Sequence, residues 1–126
     1  MGFWIYMLAM DMLIPVIMLI FGGIFRKKAP KEINYAYGYR TARSMKNDET
    51  WEFAHRYLGR LWFAMSIICI VVTVAVMLFF IGTDKDTVGI VGTVIMFGSL
   101  FSIMLSVILT ENALKKAFDK DGNKIY

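Results

Sequence analysis

The chain has 126 residues and a mass of 14.4 kDa, with 58% hydrophobic and 19% charged residues and a formal net charge of +4. A mean hydropathy of +0.58 and 15% aromatics exclude a disordered chain, which needs low hydrophobicity and few aromatics. The apolar fraction exceeds the roughly 45–50% of an average soluble domain and is gathered in blocks, so the composition is that of a membrane protein.

A segment crosses the hydrocarbon of a bilayer, about 30 Å, when it holds roughly 20 mostly apolar residues. Three segments qualify, over about 3–25, 61–81 and 88–109. The first is interrupted by Asp11 and Pro15. No basic leader precedes it and no small-residue cleavage site follows, which favours a retained span over a removable signal. The stretch from Arg26 to Arg60 carries nine Lys/Arg and the C-terminal tail four more, against Lys85 alone in the turn between the second and third spans. The positive-inside rule then places the long loop and the tail in the cytoplasm and the N-terminus outside. Trp4, Tyr6, Tyr57 and Trp62 lie at span ends, where amphipathic rings prefer the headgroup level. With two prolines and no Ser/Gly-rich tract there is no linker, and 1–126 reads as one domain.

The loop between spans one and two is dense in Tyr, Trp, Gly, Arg and amides, which a plain connector does not need. In Asn34-Tyr35-Ala36-Tyr37-Gly38-Tyr39-Arg40-Thr41 three tyrosines surround one glycine, a pattern for a turn at Gly38 with Arg40 projecting from an aromatic platform. Asn47 followed by Asp48 and Glu49 is a helix start, with a capping amide and acids in the first turn. Trp51, Ala54, Leu58 and Leu61 then form an apolar stripe, and Glu52 and Arg56 an i,i+4 pair. From Asp48 to Ile81 this helix is about 51 Å long, so it either protrudes from the membrane or bends near Gly59 into the interface.

The run formed by Asn34, Gly38, Tyr39, Arg40, Thr41, Ser44, Met45, Asn47, Trp51, Ala54, Arg56 and Gly59 closely resembles the signature of the SdpI family of bacterial membrane proteins. The resemblance implies an all-α membrane protein of minimal three-span form, with a structured cytoplasmic segment over 34–60. It also implies protection of the cell against a secreted membrane-active peptide toxin, with relay to a cytoplasmic repressor.

Each singled-out residue has a sharper and a plainer reading. Arg40 is a bidentate donor to a phosphate, a carboxylate or a partner backbone, or it pairs with Glu52 or a helix-end carbonyl and only holds the loop. Tyr37, Tyr39 and Trp51 line a pocket or anchor the interface. Asn34, Thr41, Ser44 and Asn47 read as turn and capping groups rather than ligands. Asp11, as an intramembrane ionisable group, is a functional candidate by default, or it is neutral, reaches water through a local defect, or bonds hydroxyls of span three. His55, beside Arg56 in a basic surface, is expected to be solvated. Gly98, Ser102 and Ser106 recur at intervals of four, a packing face within the chain or for a homodimer.

One histidine, one cysteine and no phosphate-cradling glycine loop leave no usual catalytic, cofactor or metal constellation, so an enzyme is the weakest class. Nor does a basic groove interleaved with aromatics argue for nucleic acid. Membrane lipids are the certain partners of such a chain. The alternative function is an anionic-lipid-binding or small-transporter protein whose loop grips a headgroup.

Overall fold

The structure, a computed structural model, describes residues 2–31, 33 and 38–125. Three helices follow one another along the chain: α1 over Gly2–Phe25, α2 over Asp48–Phe79 and α3 over Lys85–Ala117. All three are long and apolar enough to cross a membrane. The chain is an all-α, multi-pass membrane protein. Its bundle runs up, down and up, because the short Phe80–Asp84 link leaves α3 no course but back alongside α2.

The helices and the apolar runs do not share the same ends. The helix α2 ends at Phe79, since Phe80 already leaves helical geometry and hands its N–H to carbonyls of the last turn. The third helix continues to Ala117, two turns beyond the apolar run, because nothing in Thr110–Ala117 breaks a helix. α2 continues through Gly59 as one helix from Asp48 to Phe79.

What Gly59 does is admit α1. A Cβ on it would collide with the backbone of Phe25 and Arg26, and a Cβ on Gly22 of α1 would lie 2.6 Å from the Phe63 nitrogen and 3.0 Å from the Gly59 carbonyl. The two helices therefore meet backbone to backbone at the loop end, as small residues allow where no hydrophobic force drives helices together. Arg26, just past α1, lies with its guanidinium 4.2 Å from the Phe63 ring centroid. At the far end Trp4 pins the same pair by donating from Nε1 to the Met77 carbonyl at 2.7 Å.

Two apolar clusters close the bundle, Tyr39, Ala54, Leu58, Leu114, Ala117 and Phe118 at the loop end and Met7, Met77 and Val88 at the other. Between them lie the buried Met18 and Pro15 of α1 together with small polar side chains, Asp11, Ser66, Thr73, Ser99 and Ser106. Large apolar side chains such as Ile68, Val71, Phe97 and Phe101 point outward, the inverse of a soluble protein and the surface lipid tails require.

Past α3, the tail folds back as a hairpin. Phe118 and Lys124 pair as an antiparallel bridge, and the Ile125 N–H reaches the Ala117 carbonyl at 3.0 Å.

Candidate functional site

The loop between α1 and α2 is held against the helix ends by its own polar side chains. Asn34 and Tyr37, both singled out in the sequence, lie outside the described residues. From Gly38 onward the side chains or backbone of Tyr39, Thr41, Ser44, Asn47 and Trp51 have definite partners.

Gly38 has φ +101°, and a Cβ there would sit 2.7 Å from His55 Nε2, so both the backbone conformation and the space behind it demand glycine. The next backbone N–H, that of Tyr39, donates to His55 Nε2 at 2.8 Å. His55 is a correction to the sequence reading: it is fully buried rather than solvated. It stands edge-on to Phe25 with ring centroids 4.9 Å apart and packs at 4.3 Å on Trp51. Its other nitrogen, Nδ1, is 2.8 Å from the Trp51 carbonyl. A carbonyl only accepts and a backbone N–H only donates, so Nδ1 carries the hydrogen, Nε2 is bare and the ring is neutral. Burial holds the His55 pKa below its ordinary value of 6.5. His55 lies six residues ahead of Leu61, where the apolar run of α2 begins.

Tyr39 and Thr41 converge on Glu111 of α3. The Tyr39 hydroxyl donates to Glu111 Oε2 at 2.7 Å and the Thr41 hydroxyl to the same oxygen at 3.1 Å. Burial, and then the hydrogen bond and charge of Glu111, push the Tyr39 phenol far above its ordinary range. Arg40, between these two anchored residues, is exposed. Glu52 pairs with Arg56 at 3.1 Å on the exposed side of α2, as the i,i+4 spacing suggests.

Ser44 and Thr41 brace the turn reciprocally: the Thr41 N–H donates to Ser44 Oγ at 2.9 Å and the Ser44 N–H to Thr41 Oγ1 at 3.1 Å. The Ser44 hydroxyl, fully buried, reaches the Tyr39 carbonyl at 2.9 Å. Asn47 caps α2 in a capping box: the Thr50 N–H donates to Asn47 Oδ1 at 2.9 Å and the Asn47 N–H to Thr50 Oγ1 at 3.1 Å. The Asn47 amide also donates to the Gly122 carbonyl at 2.8 Å, which fastens the tail hairpin beneath the loop. Phe118 stacks edge-on to Phe53 at 5.4 Å, and Lys124 reaches Glu49 at 3.6 Å.

Trp51 is neither a pocket wall open to ligands nor an interface anchor. It is 2% exposed and donates from Nε1 to the Pro30 carbonyl at 3.0 Å, so it closes the loop from the α1 side. Beneath Gly38 and Tyr39 lies a cavity of about 270 Å³ walled by Ile17 and Phe21 of α1 and Leu58 and Trp62 of α2.

The remaining predicted residues do not join this site. Ser106 is buried and accepts from Trp62 Nε1 at 2.8 Å, a contact within the chain. Ser102 lies 3.7 Å from Cys69 Sγ, while Gly98 opens onto an apolar groove of about 510 Å³ between α2 and α3. Asp11 sits in the middle of the bundle, and of its alternatives the bond to hydroxyls of the third span is not found: neither of its oxygens has a hydrogen-bond partner among the described residues.

Sequence reading missed His55, Glu111 and the tail. His55 was findable, since it falls one turn after Trp51 and one before Gly59 on the buried stripe. Glu111 and Gly122 gave no signal, because their roles depend on elements about 70 residues away in the chain coming to one end of the bundle.

Arg40 thus stands between two side chains that are both fastened to Glu111, at one end of a helix bundle. The profile of the SdpI/YfhL protein family matches residues 31–110, the loop with α2 and most of α3. Over 45 residues the chain is 44% identical to the uncharacterized protein YfhL of Bacillus subtilis (strain 168), a match that covers 36% of this chain and 41% of that protein. The chain therefore spans less than half the length of that relative. No solved structure matches. Since the match takes in more than half of the chain and includes residues 38–47 of the loop, α2 and most of α3, this membrane protein belongs to the SdpI/YfhL family.

Proposed function

We propose that this chain is a non-enzymatic immunity and signalling protein, which protects the cell against a secreted membrane-active peptide and relays its presence to a cytoplasmic repressor. In this reading the loop and tail face the cytoplasm and the N-terminus lies outside, the orientation favoured by thirteen Lys/Arg on the loop side against one on the other. The observation that carries the reading is the pinned loop itself. Tyr39 and Thr41 are both fastened to Glu111, so Arg40 between them is presented at little cost in ordering entropy, and a preorganised planar fork suits a carboxylate or phosphate. The apolar cavity under the loop offers room for a large side chain of a peptide that enters the membrane.

The test is survival of sensitive bacteria exposed to a secreted killing peptide, comparing cells with the intact chain, cells with Arg40→Ala at matched membrane abundance and cells with neither. Protection by the intact chain and its loss in Arg40→Ala is the expected result. Equal death in all three refutes the immunity reading, and full protection by Arg40→Ala removes Arg40 from it.

A further inference from the structure

Asp11 belongs to none of the contacts described for the loop, and it lies in α1, ahead of the residues the family profile matches. It is 2% exposed, with both carboxyl oxygens unpartnered. Opposite it stands Gly92 of α3. A Cβ at Gly92 would lie 3.2 Å from Asp11 Oδ2 and would strike Met7, so α3 closes over the carboxyl with bare backbone. One turn further along α1, Pro15 has no N–H, which removes the helical donor for the Asp11 main-chain carbonyl as well.

No countercharge comes from the packed helices. Neither Leu61–Phe79 of α2 nor Val88–Leu109 of α3 contains a charged residue, and α1 has no other. The other titratable side chains in these runs are Tyr6, exposed on α1, and Cys69 of α2, which contacts Ser102. Lys85 and Asp86 are exposed at the start of α3, about 9 Å of helix from Gly92. An ionised carboxylate sealed here has neither donor nor cation to offset its lost hydration, the most costly condition for such a group. The neutral acid is the form that fits the closed packing.

We propose that Asp11 is a proton-binding site inside the bilayer: its carboxyl holds a hydrogen ion while α3 is seated on it at Gly92, and releases it only when α3 withdraws and water enters. Proton occupancy and closure of α3 on α1 are then one equilibrium, since the ionised group cannot stay where the neutral one sits.

The experiment uses the full chain in vesicles of zwitterionic and anionic phospholipid. The first readout is the infrared carbonyl band of a protonated carboxylic acid, assigned by its loss in Asp11→Asn. The second is the distance between spin labels at Ile5→Cys and Ile90→Cys, both lipid-facing, with Cys69→Ser. At pH 7 the acid band is expected together with the short distance. As the pH is raised until the band disappears, the distance should lengthen, whereas Asp11→Asn, nearly isosteric and always neutral, should stay short. Gly92→Ala, which lifts α3 off the carboxyl, should lose the band at lower pH than the native chain. A carboxylate at pH 7 with the short distance overturns the proposal. So does loss of the band with the distance unchanged, or an Asp11→Asn chain that opens along the same pH course as the native one.

Discussion

Protonation of His55 should release the loop. In the docked state Nε2 accepts from the Tyr39 N–H and Nδ1–H is committed to the Trp51 carbonyl, so a second ring proton has no acceptor and must break the Tyr39 bond. Burial lowers the docked pKa below the ordinary 6.5, so the released state binds the proton more tightly. The neutral ring's contribution to docking is thus fully present above pH 6.5 and is lost as the pH falls. For one group titrating near 6.5 when released, the docking free energy drops by at most about 1.4 kcal/mol for each pH unit between the released and the docked pKa. Each such unit is at most about a tenfold rise in the open fraction. The assay is hydrogen exchange of the Tyr39 amide, the very proton His55 holds, followed from pH 7.5 to 5 and corrected for the pH dependence of intrinsic exchange. Protection should fall across this range in the native chain and stay flat in His55→Gln, which has no proton to gain. A Tyr39 amide equally protected at pH 5 and pH 7.5 would refute both the neutral tautomer and its role as the latch.

Glu111→Ala removes the acceptor of two hydroxyls, and because the carboxylate is half-buried the loss should be about 1–3 kcal/mol of loop docking. Exchange should rise over 39–45 and remain unchanged within the apolar run of α2. A cycle with Tyr39→Phe should show non-additivity of about 1 kcal/mol, and strict additivity would mean that the bond carries no net energy. Gly59→Leu drives a side chain into the Phe25 and Arg26 backbone, so α1 should separate from α2 at the loop end. A loss of about 1–3 kcal/mol in detergent unfolding is expected, and native stability would show that the helices do not meet there. Asn47→Ala deletes the cap and the tether to Gly122, costing about 1–2 kcal/mol and exposing the tail hairpin to proteolysis. Lys124→Ala, which removes only an exposed ion pair, should leave that cleavage rate nearly unchanged.

The sequence by itself determined what depends on composition and near neighbours. Three apolar runs of bilayer length read as spans because hydrocarbon forces every backbone group to bond within its own helix. Asn47 read as a cap because its amide meets the N–H of a residue three places on. The signature run was legible as a unit, and the family follows from it. The plainer roles of Thr41 and Ser44 were also within reach, since their bonds span three residues.

Tertiary structure alone decided the rest. His55 next to Arg56 looks solvated until α1 brings Phe25 across it and the loop turns at Gly38 to reach it. Glu111 becomes the anchor of the loop only because α3 runs on past the apolar segment and ends beside the start of α2. Whether Gly59 was a hinge or a contact depended on Gly22 arriving opposite it. Asp11 read as an intramembrane acid whose state was open, and it took the packing of α3 to show which backbone closes over it and that no donor stands there among the described residues. In each case the partner lies tens of residues away, and periodicity along one helix says which face is buried but not what it is buried against.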